Sequence, residues 1–269
     1  MTASFPQSRR LTIRLDDSPR YRGSVHDDAV ARAMGYRAAL VPGAFLYGHF
    51  SRVAIEAWGL DWAARGGIGA RFRRPVYNGD EVTIEAGPLV AGAGRVRSEL
   101  ALRDAEGETA ASGWIDLPDV AEPAPLAADW PLLRVPDPRP EIGPGGWRKG
   151  MRGGTAQSVL TEAEWLESLA AFDETHPIYR RETLVHSGLL MRRAMGEVYG
   201  SFRFPGPVVL VSCETRHYAP VRPGARFGTS SIVSDEYERK GKHYGETDEV
   251  VFADGNVVSR HRRLQVYAG

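Results

Sequence analysis

The strongest constraint on this chain is that it repeats itself. LVPGAFLY begins at Leu40 and LVHSGLLM at Leu184, 144 residues later. RFRRPVYNGDEV begins at Arg71 and RHYAPVRPGARF at Arg216, 145 residues later, and both contain R-x-x-x-P-V-x-x-G. RDAEGE around Gly107 is matched by FADGNV around Gly255, 148 residues later. Three matches in the same order at nearly one offset point to an internal duplication. A repeated unit that cannot bury its apolar face alone must bury it against its copy.

Between the copies lies a stretch that cannot be a central strand. Eight of the 18 prolines fall between Pro118 and Pro144. Proline removes a backbone donor and restricts the residue before it. The segment predicts an extended linker over the surface, pinned by Trp130, Leu132 and Leu133 and followed by the loose Gly-rich piece GPGGWRKGMRGG. The domain reading is therefore an N-terminal repeat over 1–118, a linker over 119–155 and a C-terminal repeat over 156–269.

Both halves follow one grammar. A polar loop leads into an apolar helix, at about Gly43–Trp58 and again at about Ser187–Tyr199. The first is apolar around most of its circumference, which demands burial. The second carries Arg192 and Arg193, which would face water or ligand. Strands follow each helix, with Lys240-Gly241 and Asp254-Gly255 reading as hairpin turns. One buried helix followed by antiparallel strands is an α+β pattern.

That pattern resembles the hotdog fold, in which an antiparallel sheet wraps one long apolar helix. More narrowly it resembles the MaoC-like acyl-thioester hydratases and dehydratases in double-hotdog form. The residues that carry the resemblance are VHDDAVARAMGYRAALVPGAFLYGHF, RFRRPVYNGDEVTIE and DETHPIYRRETLVHSGLLM. The family's catalytic pattern is an Asp with a His five residues later, in a G-D-x-N-P-x-H-x-D context. A backbone N–H at the start of the central helix holds the thioester oxygen. This chain departs from that pattern in both halves. In half one His26-Asp27-Asp28 matches H-x-D, but Tyr21 stands where Asp is expected. In half two Glu174 replaces the Asp, His176 the Asn and Tyr179 the catalytic His.

The site residues implied are as follows. His176, with Asp173 and Glu174 just before it, is the leading general base, since nearby carboxylates orient an imidazole and raise its basicity. The plainer alternative makes it a cap before Pro177. Glu174 shares the proton handling, and Tyr179 assists as a donor or packs on the sheet. His186 either meets the acyl carbonyl region or caps its helix. The Ser187 and Gly188 amides are free donors at a helix N-terminus. Gly43 offers close backbone approach, and His26 is a substrate-side or plain loop residue beside the N-cap Asp27. His49 reads as a satisfied core histidine and Cys213 as a small buried hydrophobe. Arg260, Arg262 and Arg263 read as a solvated strand face, with a coenzyme A phosphate as the other possibility.

The function this implies is addition or removal of water at an enoyl or 3-hydroxyacyl thioester. Hotdog thioester hydrolysis, and a non-catalytic acyl-binding or partner subunit, are the alternatives. No cofactor is expected, coenzyme A or a carrier-protein arm being part of the substrate. The sequence has no His or Cys pair at metal-ligand spacing. Its 34 basic and 34 acidic residues give no electrostatic case for nucleic acid. No run has the length of a membrane span. The single cysteine and the absence of a signal-peptide core lead to the expectation of a cytoplasmic protein, and the family resemblance to that of a homodimer.

Overall fold

A computed structural model describes residues 4–15 and 21–269. The first half runs β1 (Gln7–Thr12), α1 (Asp28–Ala33), α2 (Gly43–Trp58), α3 (Leu60–Arg65), β2 (Gly67–Phe72), β3 (Glu81–Ala86), β4 (Val90–Gly92), β5 (Arg95–Arg103) and β6 (Thr109–Pro118). The remainder contributes β7 (Arg152–Gly153), β8 (Ser158–Val159), α4 (Glu162–Ala171), α5 (Ile178–Arg181), α6 (Ser187–Gly200), β9 (Val209–His217), β10 (Arg226–Arg239), β11 (Lys242–Ala253) and β12 (Asn256–Ala268). One sheet takes them in the order β1-β3-β5-β6-β2-β9-β12-β11-β10-β7, with β4 on β5 and β8 on β10. Outward from the β2/β9 seam the order is the same on both sides: β6-β5-β3 on one, β12-β11-β10 on the other.

The register at the seam shows the duplication in atomic terms. Gly69 of β2 lies opposite Glu214 of β9, and these are equivalent positions of the repeat, 145 residues apart. Gly67 faces Arg216 and Arg71 faces Ser212, a reciprocal pair about that point. A pseudo-two-fold axis therefore passes through the seam, and joining the halves there removes one exposed edge from each. Asp116 of β6 ties the halves together. It accepts from Arg216 of β9 at 2.6 and 3.1 Å and from Arg95 at 2.7 Å, with its own side chain fully buried. Burial pushes this carboxyl up, but the two guanidiniums outweigh it and hold it below its ordinary value.

Helix α2 is buried along most of its length, from Ala44 to Ile55. It is apolar around most of its circumference, and sheet and α6 pack against it. The hairpins behave as read. Lys240 and Gly241 both have positive φ, as do Asp254 and Gly255, the signature of turns whose twist matches the flanking strands.

Two expectations are corrected. The Gly-rich piece after the linker is not loose. Trp147 within it is fully buried, with ring centroids of Phe204, Tyr267 and Phe202 at 5.1, 5.6 and 5.9 Å. Trp147 and Ile142 are the buried anchors, whereas Leu133 is 40% exposed. The strand holding Arg260–Arg263 is also not simply a solvated face. Arg262 is exposed and Arg260 is bonded to Asp248, but Arg263 points inward. It donates to Glu249, Gln265 and Tyr199 with no exposed side-chain surface. Alternate residues of β12 (Ser259, His261, Arg263, Gln265, Tyr267) form this buried face. The strand's outward neighbours include Leu264 and Val266, so polarity and burial are out of phase here.

Removing one member of a fully buried ion pair leaves the other charged and unpaired. Glu249→Ala is expected to cost about 3–5 kcal/mol in urea denaturation. The double replacement Glu249→Leu with Arg263→Met is expected to recover most of that loss, because no charge then remains unpaired.

Candidate functional site

The site forms where α4 hands over to α6. Thr161 caps α4, its hydroxyl accepting from Glu164 N at 3.2 Å. The helix ends at Phe172, and Asp173 follows with φ 47°. Asp173 N donates to Ala170 O (3.0 Å) and Glu174 N to Leu169 O (2.8 Å). This is the paired closure of a Schellman ending with aspartate at the left-handed position. It reverses the chain sharply, and the reversal turns Glu174 into the protein.

Only 1% of the Glu174 side chain is exposed. Its Oε1 accepts from Arg52 Nη1 at 2.8 Å and from the His176 amide at 2.7 Å. Its Oε2 lies 3.8 Å from His186 Nε2. Burial pushes the carboxyl above its ordinary value, against the opposing pull of the His176 amide and Arg52. Arg52 sits on α2, its Nε bonded to Glu56 at 2.7 Å. The carboxylate is therefore held by one helix and presented to another.

His186 caps α6. Its Nδ1 accepts from Gly188 N at 3.1 Å, which places the ring proton on Nε2, facing Glu174. Burial holds the imidazole neutral, with its pKa lowered to about 3. The ring stacks on Phe172 (4.2 Å, 16°) and is tilted against Tyr179 (5.2 Å, 32°). His49 of α2 stands edge-on to Phe172 at 6.1 Å, its pKa lowered by burial to about 4. Two buried polar atoms near this cluster have no hydrogen-bond partner: His49 Nε2 and Tyr179 OH. Tyr179 OH lies near Ser51, whose hydroxyl donates instead to Gly48 O at 2.7 Å.

Several sequence expectations change. The His176 ring does not serve Glu174. Its Nδ1 accepts from Ile178 N at 3.3 Å, so it caps α5 while its amide binds the carboxylate. The Gly188 amide is not free, being taken by His186. Gly43 offers no approach to a ligand on its α-carbon side, because a Cβ there would lie 2.8 Å from the Phe72 ring. His49 is buried but not satisfied. His26 bonds Leu40 O through Nδ1 at 2.7 Å and meets Tyr21 edge-on. A chain of contacts links it to the cluster: Tyr21 OH accepts from Arg192, whose guanidinium lies over Phe45 and Phe172.

Ser187 belongs to a second buried network. Its Oγ lies 2.7 Å from Tyr47 OH and 3.1 Å from His217 Nε2. Tyr47 donates to Thr215 at 3.0 Å, Thr215 meets His261 at 2.8 Å, and His261 meets Ser259 at 3.1 Å. These groups sew α2, α6, β9 and β12 together. The sequence reading passed over Arg52, Phe172, His217 and His261. Arg52 had a signal: it and Glu56 are the charged residues of an otherwise apolar helix, and a charge taken into such surroundings needs partners. Among the described residues no group of three or more His, Cys, Asp and Glu converges as for a metal ion, and no helix is long and apolar enough to cross a membrane.

No family model matches the chain, and no curated protein matches it. Solved structures do. A Chloroflexus aurantiacus protein described as a MaoC domain dehydratase is 15% identical, with TM-score 0.66 over 98% of this chain and 95% of that one. A conserved Mycobacterium tuberculosis protein with a double hotdog fold is 16% identical, with TM-score 0.65 over 98% and 96%. A Lactobacillus plantarum protein described as an oleoyl thioesterase is 12% identical, with TM-score 0.55 over 100% and 98%.

The raised Glu174 carboxyl has a consequence for stability. A carboxyl whose folded pKa lies above its unfolded value binds its proton more tightly when folded. Its contribution is then fully present below the unfolded value of 4.5 and is lost as pH rises through the folded pKa. Thermal unfolding of wild type against Glu174→Gln should show this as a falling difference between the two proteins above that pH. A difference that rises with pH contradicts the site's electrostatics.

Proposed function

We propose that this double-hotdog chain is a hydratase or dehydratase acting on enoyl and 3-hydroxyacyl thioesters, with Glu174 as the proton-transfer group and His186, its Nε2 3.8 Å from the carboxylate, as the group that holds the water. The carrying observation is the buried Glu174–His186 pair at the start of α6. Glu174 stands where the resembled family has its aspartate, and His186 supplies an imidazole from a different position.

In hydration, the Glu174 carboxylate takes a proton from water as the water oxygen adds to the β-carbon. The carboxylic acid so formed delivers that proton to the α-carbon, which adds H and OH across the double bond and regenerates the carboxylate. Dehydration is the reverse. His186 Nε2–H holds the water oxygen, and the N-terminal end of α6 faces the charge that develops on the thioester oxygen. A carboxyl raised by burial suits both halves of this cycle, because acid/base efficiency is greatest when the pKa approaches the working pH. Coenzyme A or a carrier arm would enter as part of the substrate. Hydrolysis is the second reading, favoured by the likeness to the protein described as an oleoyl thioesterase. There the same carboxylate would direct water at the carbonyl carbon.

The test is turnover of enoyl- and 3-hydroxyacyl-coenzyme A thioesters followed by mass. A change of one water, reduced about 10²–10⁴-fold in kcat by Glu174→Gln, is the expected result. Release of free coenzyme A with the same loss assigns hydrolysis instead. Absence of turnover in folded protein moves the chain to the acyl binders.

A further inference from the structure

Phe172 occupies an unusual position. Its ring lies between α2 and α6 at points where both helices carry glycine. A Cβ on Gly48 would fall 2.2 Å from the ring, and one on Gly188 would fall 2.4 Å from it. No side chain fits at either position while the ring is there. Two central helices thus leave a slot one aromatic ring thick, filled from a third element. The walls of that slot include Phe45, with ring centroids 5.0 Å apart, and the stacked His186.

Three further observations separate this ring from ordinary core. First, it touches the polar cluster: His49 meets it edge-on, and the His49 Nε2 is buried without a partner. An apolar side chain beside an unsatisfied polar atom is poor packing for a group with no other role. Second, Phe172 is two residues from Glu174, on the same Schellman turn. The plug and the acid/base group are one short piece of chain. Third, Arg192 connects the ring to a groove. A groove of about 410 Å³ runs along α6 past Leu189, Arg192 and Gly196 against the linker. The Arg192 guanidinium that lines it lies over both Phe45 and Phe172.

We propose that Phe172 fills the acyl slot of this protein, so that its ring fixes how long an aliphatic chain the thioester substrate carries past Glu174. The inference rests on the thioester reading above. The ligand class it assigns is a linear acyl chain on a pantetheine-type thioester, with short chains accepted when the ring is in place and longer ones when it is removed. An emptied aromatic site lined by apolar groups readily takes an apolar guest, and here the guest would already be tethered at the carbonyl.

The experiment uses the full chain and a series of non-reactive acyl-coenzyme A thioethers of increasing length, with binding measured by calorimetry. Wild type is expected to show affinity that stops improving after the shortest chains. Phe172→Ala is expected to gain roughly tenfold for each two further methylenes that enter. Gly48→Ala placed on Phe172→Ala puts a methyl back into the slot and is expected to cancel much of that gain. Phe172→Leu keeps an apolar body at the position and carries the test where Phe172→Ala does not fold, with a smaller gain of the same sign. Phe202→Ala makes a cavity of the same origin in the separate aromatic cluster around Trp147 and is expected to leave the length dependence unchanged. A folded Phe172 variant with the wild-type length dependence overturns the proposal. A shifted length dependence in a protein that turns over no thioester supports the slot while rejecting the hydratase reading.

Discussion

The seam between β2 and β9 is the interaction on which everything else depends. Each half presents one helix and one sheet face, and neither half closes its sheet at that edge. Pairing Gly69 with Glu214 across the pseudo-two-fold joins the two sheets into one. It also brings α2 and α6 side by side. The bond that joins the two halves at the candidate site follows from that approach: Arg52 comes from α2 and Glu174 from the turn ahead of α6. The buried Asp116 with its two arginines locks the seam from the outer strands. Loss of register there would move the two helices relative to each other and separate Arg52 from Glu174.

The two halves have diverged in what they place at equivalent helix starts. Pro42 precedes α2 without a side-chain cap, while His186 caps α6 through its ring. The second half turns a carboxylate inward at this point, that of Glu174. The first half supplies support instead: Arg52 orients the carboxylate, Tyr47 holds Ser187, and Gly48 leaves room for Phe172. A duplicated fold can divide labour in this way because the copy that gives up its own site is free to serve the other.

The repeat, the two central helices and the hairpins were legible in the sequence because each rests on a local signal. Glycine at positive φ, an apolar helix with no polar face and a shared P-V turn all act over a few residues. The sequence also singled out Glu174, and the structure buries its carboxylate. The pairing of Glu174 with His186 was not legible. The two are 12 residues apart in sequence and meet through a Schellman ending whose left-handed residue is aspartate, not the usual glycine. His176 looked the better base because it is next to the carboxylates in sequence, yet neighbours along a turn need not face each other. The inner face of β12 misleads for a different reason. Arg263, Gln265 and His261 are buried because Glu249, Tyr199 and Thr215 arrive from other elements to satisfy them. Alternation of polarity places a strand's faces only when one face meets water.

The electrostatics of the interior give the site its character. His49, His186, His217 and His261 all have their pKa lowered by burial, so the interior holds neutral imidazoles. Glu174 is the acid placed among them, with Arg52 on one oxygen and His186 Nε2 facing the other. Neutral surroundings and excluded water make that one carboxylate a stronger base than it would be in solvent, because its charge is poorly solvated. The His176 amide and Arg52 pull in the opposite direction. The turn that presents Glu174 also carries Phe172. Chemistry and apolar fit are therefore not independent properties of this fold: whatever shifts the ring between Gly48 and Gly188 also shifts the backbone from which Glu174 reaches His186.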